Sequence, residues 1–116
     1  MRFLSIYQAR ETNQPPTAEH MAKMQELIER TMKDGTLIST EGCLSSRSGA
    51  RVRLNHGTYV VTDGPFTESK EVVGGFALLE ATSKEHAIEL TKQFLSVVGE
   101  GECEIRQLAE VPVAAR

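Results

Sequence analysis

Asp63, Glu68, Lys70 and Glu71 bring carboxylates and an ammonium together in one polar stretch, Asp63-Gly64-Pro65-Phe66-Thr67-Glu68-Ser69-Lys70-Glu71. Opposite charges held at the edge of a pocket set each other's pKa. In that setting Asp63 is placed to move a proton while Lys70 steadies a developing anion. The same residues also read as ordinary structure. Asp63 can bond the backbone two residues on, Gly64 tolerates a positive φ and Pro65 fixes the next angle. A charge run is usually a solvated face. On the residues alone both readings stand. What exceeds a simple turn is the length, because a tight hairpin reverses in about two residues. Phe66 and Glu68 join Asp63 and Lys70 as candidate substrate contacts. Tyr7, on the opening strand, is the third, its hydroxyl directed toward Asp63 or its ring serving as an aromatic core contact.

Other reactive side chains carry less. His56 lies in a turn and His86 in the first turn of a helix, and both read as surface residues. Their spacing matches no His-x-His or His-x3-His pattern, and Cys43 and Cys103 form no Cys-x2-Cys, so no metal is expected. Cys43 and Cys103 read as reduced thiols in strands, Cys43 with core packing as its expected fate. Gly74-Gly75 lacks the lysine of a phosphate loop and the spacing of a dinucleotide fingerprint. Inside a strand the pair marks a bulge or a close backbone approach. Arg47, Arg51 and Arg53 alternate with apolar residues as the wet face of a hairpin does. No cofactor is required by any of these residues.

The secondary structure around these side chains is readable from pattern. Phe3 to Tyr7 is strand-like, with Leu4 and Ile6 on one face and Phe3, Ser5 and Tyr7 on the other. Thr17 offers an N-cap, and Met21, Met24, Leu27, Ile28 and Thr31 or Met32 recur at helical spacing until Gly35 stops the helix. A second strand runs from Thr36 to about Leu44. Arg51–Leu54 and Thr58–Thr62 form a hairpin around Asn55-His56-Gly57. Val72 to Glu80 is the most hydrophobic strand. Thr82 with Glu85 has the spacing of a capping box, and Ala87, Leu90 or Thr91, Phe94 and Val98 form the stripe of a second helix. Gly99 and Gly101 end it before a last strand, Cys103–Leu108.

With the hairpin set aside, the order is strand–helix–strand twice over. That is α+β, a ferredoxin-like split βαβ with an inserted β-hairpin. Both helices are expected on one face of an antiparallel sheet. The other face, carrying Phe3 and Tyr7, would lie bare in a monomer, and a homodimer packing sheet on sheet would cover it. One domain is expected over 1–110, with 111–116 a loose C-terminal tail.

Composition narrows the classes. A net charge of -3 argues against a direct nucleic-acid binder, which needs surplus Lys and Arg. Aromatic residues at 5% with no Trp leave no stacking platform for single strands. No apolar run approaches the ~20 residues of a membrane span, and Met1–Tyr7 is too short for a secretory segment. A cytoplasmic location, with no membrane partner, is the expectation.

Val61-Thr62-Asp63-Gly64-Pro65-Phe66-Thr67-Glu68-Ser69-Lys70-Glu71, followed by Gly74-Gly75-Phe76, resembles the signature of the DGPF, or YCII-related, domain proteins. The resemblance extends over nearly the whole chain. It implies a dimeric α/β-barrel, and relatives of that fold include isomerases, dehalogenating lyases and monooxygenases of small molecules. It also implies a link to extracytoplasmic-function sigma factors. In the YCII branch a His at the start of the first helix and an Asp across the cleft form the proposed catalytic pair, which here correspond to His20 and Asp63. Two functions are expected on this basis. One is a small cofactor-free enzyme of isomerase or lyase type, with Asp63, His20 and Lys70 catalytic on a small organic molecule. The other is a noncatalytic ligand-binding or regulatory module linked to such a sigma factor.

Overall fold

The computed structural model describes residues 1–12 and 14–110. The tail expected at 111–116 lies outside them. Eight main elements run in the order β1 (Arg2–Ala9), α1 (Ala18–Lys33), β2 (Leu37–Gly42), β3 (Ala50–Asn55), β4 (Thr58–Asp63), β5 (Val72–Glu80), α2 (Lys84–Val98) and β6 (Glu102–Gln107). The main sheet has the order β2-β5-β1-β6, antiparallel throughout. With two helices, this α+β arrangement is compatible with a ferredoxin-like fold. β3 and β4 pair with each other and with no strand of the main sheet.

Local signals account for most boundaries. Thr17 caps α1 by accepting the His20 amide at 3.1 Å, and Gly35 comes after the helix at φ +84°. His56 and Gly57 both take positive φ, the conformation a two-residue hairpin turn needs. The second cap falls one residue later than the Thr82–Glu85 spacing suggests. Ser83 accepts the His86 amide at 3.1 Å, whereas Thr82 donates its own amide to His86 Nδ1 at 3.0 Å. Two adjacent hydroxyl residues compete for one cap, and the His86 ring occupies the first. His86 is thus tied into the helix start rather than being a plain surface side chain.

The covered sheet face is the reverse of the expected one. Phe3, Ser5 and Tyr7 point toward the helices, and Leu4, Ile6, Phe76 and Leu78 share the open face. Phe3, at 2% exposure, is the largest fully buried side chain and packs with Leu37, Leu79, Ala81 and Ala87. Ser5 Oγ and Thr91 Oγ1 lie 3.4 Å apart between β1 and α2, a polar pair inside this layer. Room for Tyr7 decides the choice. Its ring meets Phe94 edge-on at 5.2 Å, and glycines stand where a side chain would hit it: a Cβ on Gly74 would lie 3.0 Å from the ring, and one on Gly101 would overlap it. Gly74 is also the extra residue where β5 slips register against β1, between Gly75 and Val73, so the glycine pair serves as both bulge and close approach.

On α1 the buried stripe is Leu27 and Thr31, with Met24 and Ile28 half-buried; Met21 and Met32 are exposed. Cys43 is exposed, not packed in the core: it lies one residue past the end of β2, its amide still joined to Gly74 O at 2.9 Å. Phe3→Ala should lower stability by about 3–5 kcal/mol, the range for deleting a buried aromatic side chain, as read from the denaturant midpoint at unchanged slope.

Candidate functional site

Ser46 is the residue on which the Asp63–Glu71 segment is built. It is buried at the start of a short 3-10 turn, Ser46–Ser48. Its amide donates to one oxygen of Glu11 and its hydroxyl to the other, at 2.6 Å for the hydroxyl. With the proton so committed, Ser46 Oγ accepts the Phe66 amide at 3.1 Å. Gly64 donates to Gly49 O at 2.9 Å and passes so close that a Cβ would collide with the Ser46 carbonyl oxygen. Only glycine fits there. The glycine of the motif is therefore fixed by a backbone crossing, and Pro65 is joined to it through a cis peptide.

Arg51 holds the far side of the loop. Its guanidinium lies 3.9 Å over the Phe66 ring, donates to Glu68 Oε1 at 2.8 Å and reaches Ser69 Oγ at 3.1 Å. Arg51 lies on the exposed, polar side of the hairpin and also ties the hairpin to the loop. Glu68 and Phe66, expected as substrate contacts, meet through it. The exposed ion pair contributes little by itself, and the stacked ring and Ser69 give it direction.

One cavity lies apart from this loop and a second borders it. One, of about 390 Å³, lies between the helices and the sheet; Met24, Leu27, Ala77 and Phe94 line it, with hydroxyls from Ser5 and Thr40. The other, of about 400 Å³, is a more polar cleft bounded by Arg10, Glu11, Cys43, Arg47, Pro65 and Thr67. Tyr7 and Gly74 border both. The Tyr7 hydroxyl donates to Glu100 O at 2.5 Å, so it is not directed at Asp63. Burial pushes the phenol above its ordinary pKa, and Cys103, Glu71 and Glu100 add to the shift. Burial likewise raises the Cys103 thiol, against a hydrogen bond from Ser5. Both groups stay protonated at neutral pH, so neither is a nucleophile, and the Tyr7 proton is already committed to Glu100 O.

The nominated catalytic residues are dispersed. Asp63 ends β4 and is exposed, Lys70 is exposed in the loop, and His20 sits in the first turn of α1. No hydrogen bond or ion pair joins any two of them among the described residues, and none of them lines either cavity. No group of three His, Cys, Asp or Glu side chains among the described residues converges to hold a metal. Glu11, Ser46 and Arg51 are the organisers that the pattern of residues did not announce. Glu11 and Ser46 are 35 positions apart and neither belongs to a periodic stripe. The one usable signal was a cationic hairpin facing Glu68 across a long loop.

The YCII-related domain, as a family model, matches residues 1–111. The chain belongs to the YCII-related domain family. The resemblance read from the Asp63 segment holds over the whole of the fold. In this YCII-related protein the motif has a structural explanation at Gly64 and Phe66, and its charged members Asp63 and Lys70 remain outward. No helix among the described residues is long and apolar enough to cross a membrane.

The Ser46 amide, then its hydroxyl, hold the Glu11 carboxyl below its ordinary value of 4.5. A carboxyl lowered in the folded state contributes stability that is complete above its unfolded pKa and is lost as pH falls through the folded value. Acidification below about pH 4.5 should therefore release the loop. The Phe66 amide, monitored by NMR hydrogen exchange corrected for its intrinsic rate, should lose protection over that window. Glu11→Gln should flatten the acid step; an unchanged step would place the titrating group elsewhere.

Proposed function

We propose that the chain is a homodimeric binder of a small, largely apolar organic molecule held in the cavity between the helices and the sheet. The observation that carries this reading is the cavity itself. Its volume, about 390 Å³, lies in the ~300–1,000 Å³ range of small-molecule sites, and its wall is apolar with a few hydroxyls. Leu4, Ile6, Phe76 and Leu78 on the open sheet face support pairing with a second copy, sheet against sheet. Passing occupancy on to a protein partner, such as the sigma factor that the resemblance implies, is the regulatory form of the same reading.

The binding reading predicts a thermal shift. A ligand at a hundred times its Kd adds about 2.7 kcal/mol, so a panel of small aromatic and aliphatic compounds should contain one that raises Tm by roughly 10 °C. Ala77→Leu fills the wall of the cavity and should remove that rise while leaving the chain folded. A rise of equal size in Ala77→Leu, or none with any compound in the wild type, would sink the reading.

Acid–base turnover by Asp63, with His20 and Lys70, is the second reading. What favours it is that Asp63 and Lys70 form no ion pair among the described residues, which leaves both charges available to a substrate. Asp63→Asn keeps the shape and removes the charge. It should abolish turnover and shift stability by less than about 0.5 kcal/mol, as exposed substitutions do. A loss of Tm as large as that of Phe3→Ala would instead make Asp63 structural.

A further inference from the structure

The β3–β4 hairpin is amphipathic in a way that its position does not explain. Val52 faces Val61 and Leu54 faces Tyr59 across the ladder, so all four share one side. Their exposures are 68%, 62%, 60% and 71%. The opposite side carries Arg51 with Thr62, and Arg53 with Val60. A lone two-stranded hairpin is marginal in water, and an apolar side of this kind needs a cover. No strand of the main sheet supplies it.

Area indicates which cover. At ~3.3 Å per residue and ~4.8 Å between strands, the open face of the main sheet spans on the order of 450 Å², and one side of the hairpin on the order of 200 Å². A standard protein interface takes about 800 Å² from each partner. Those spans are flat footprints, smaller than accessible areas, so the sheet face alone stands near the low end of that class, and the hairpin adds close to half as much again. Both surfaces sit on one chain, so a two-fold pair uses each of them twice and closes without leaving either bare.

We propose that the β3–β4 hairpin is a dimerisation arm whose Val52–Leu54–Tyr59–Val61 side packs on a second copy of this chain, beyond the rim of the sheet-to-sheet contact. This rests on the homodimer of the proposed function and adds a surface to it. The arm is rooted where Arg51 grips Phe66 and Glu68, so pairing also steadies the loop beside the Tyr7 cleft.

The chain contains no Trp, so Tyr59→Trp introduces a single reporter. Mass by light scattering and indole emission are recorded together over a dilution series of purified protein. The expected result is a dimer with blue-shifted emission that moves to the water-exposed wavelength as the mass halves. In addition, Leu54→Thr with Tyr59→Thr, which keeps strand-forming residues, should raise the dimer Kd at least tenfold without changing the circular dichroism of the chain. A dimer whose indole stays water-exposed, or whose Kd is unchanged in the double variant, overturns the arm and leaves the sheet pairing standing. Blue emission that persists in the monomer overturns it in favour of a cover from the same chain. A monomer at every concentration overturns both the arm and the homodimer.

Discussion

Two helices can cover one face of a four-stranded sheet, and β1 carries apolar side chains on both of its faces. Most of this protein's architecture derives from that imbalance. The helices take the side of Phe3, Ser5 and Tyr7, and leave Leu4 and Ile6 to share the other with Phe76 and Leu78. The open side is then left as an exposed apolar surface, although burying apolar area is the main favourable term available to a chain of this size. The hairpin extends the same logic, since its apolar residues add nothing to the chain's own core.

The loop that carries the motif is held by a separate set of interactions, polar and long-range. Glu11 fixes the Ser46 hydroxyl proton, Ser46 fixes the Phe66 amide, and Arg51 closes over the Phe66 ring. Gly64 passes within contact of the Ser46 carbonyl, so the loop and the turn can only move together. Such a network is costly when half satisfied, and here no buried side-chain polar atom among the described residues lacks a partner. The effect is to present Asp63 and Lys70 outward from a rigid base. A flexible loop would lose that orientation.

Much of this was legible from the residues. The boundaries of β5, the Thr17 cap, the turn at His56-Gly57 and the glycine stops depend on neighbours a few positions away, and local chemistry records them. The covered face of β1 does not. Leu4 and Ile6 are as apolar as Phe3 and Tyr7, and the decision lies with Gly74 and Gly101, distant in sequence, which make room for the Tyr7 ring. The N-cap of α2 escaped pattern for a different reason: Thr82 and Ser83 are chemically alike, and only the His86 ring separates them. In the motif segment the sequence drew attention to Gly64 and Phe66, but what holds them, Glu11 and Ser46, are ordinary residues brought together by the fold.

The cavity was the least legible feature because it is made by what is small. Ala77, Thr40, Thr91 and the Gly74-Gly75 pair stand where larger apolar side chains would fill the space between α1, α2 and the sheet. At ~24 cal/mol per Å³, a dry void of this volume would cost on the order of 9 kcal/mol, as much as the whole stability of many domains. The space therefore has to be reachable from solvent, and the hydroxyls of Ser5, Thr40 and Thr91 put a few polar points on an otherwise apolar wall. Leu or Phe at these positions would make a more stable sheet–helix layer. Keeping small residues there while Phe3 remains the largest fully buried side chain sacrifices core for access. That trade supports the proposed binding of a small molecule there, with Tyr7 held at the wall by its bond to Glu100 O.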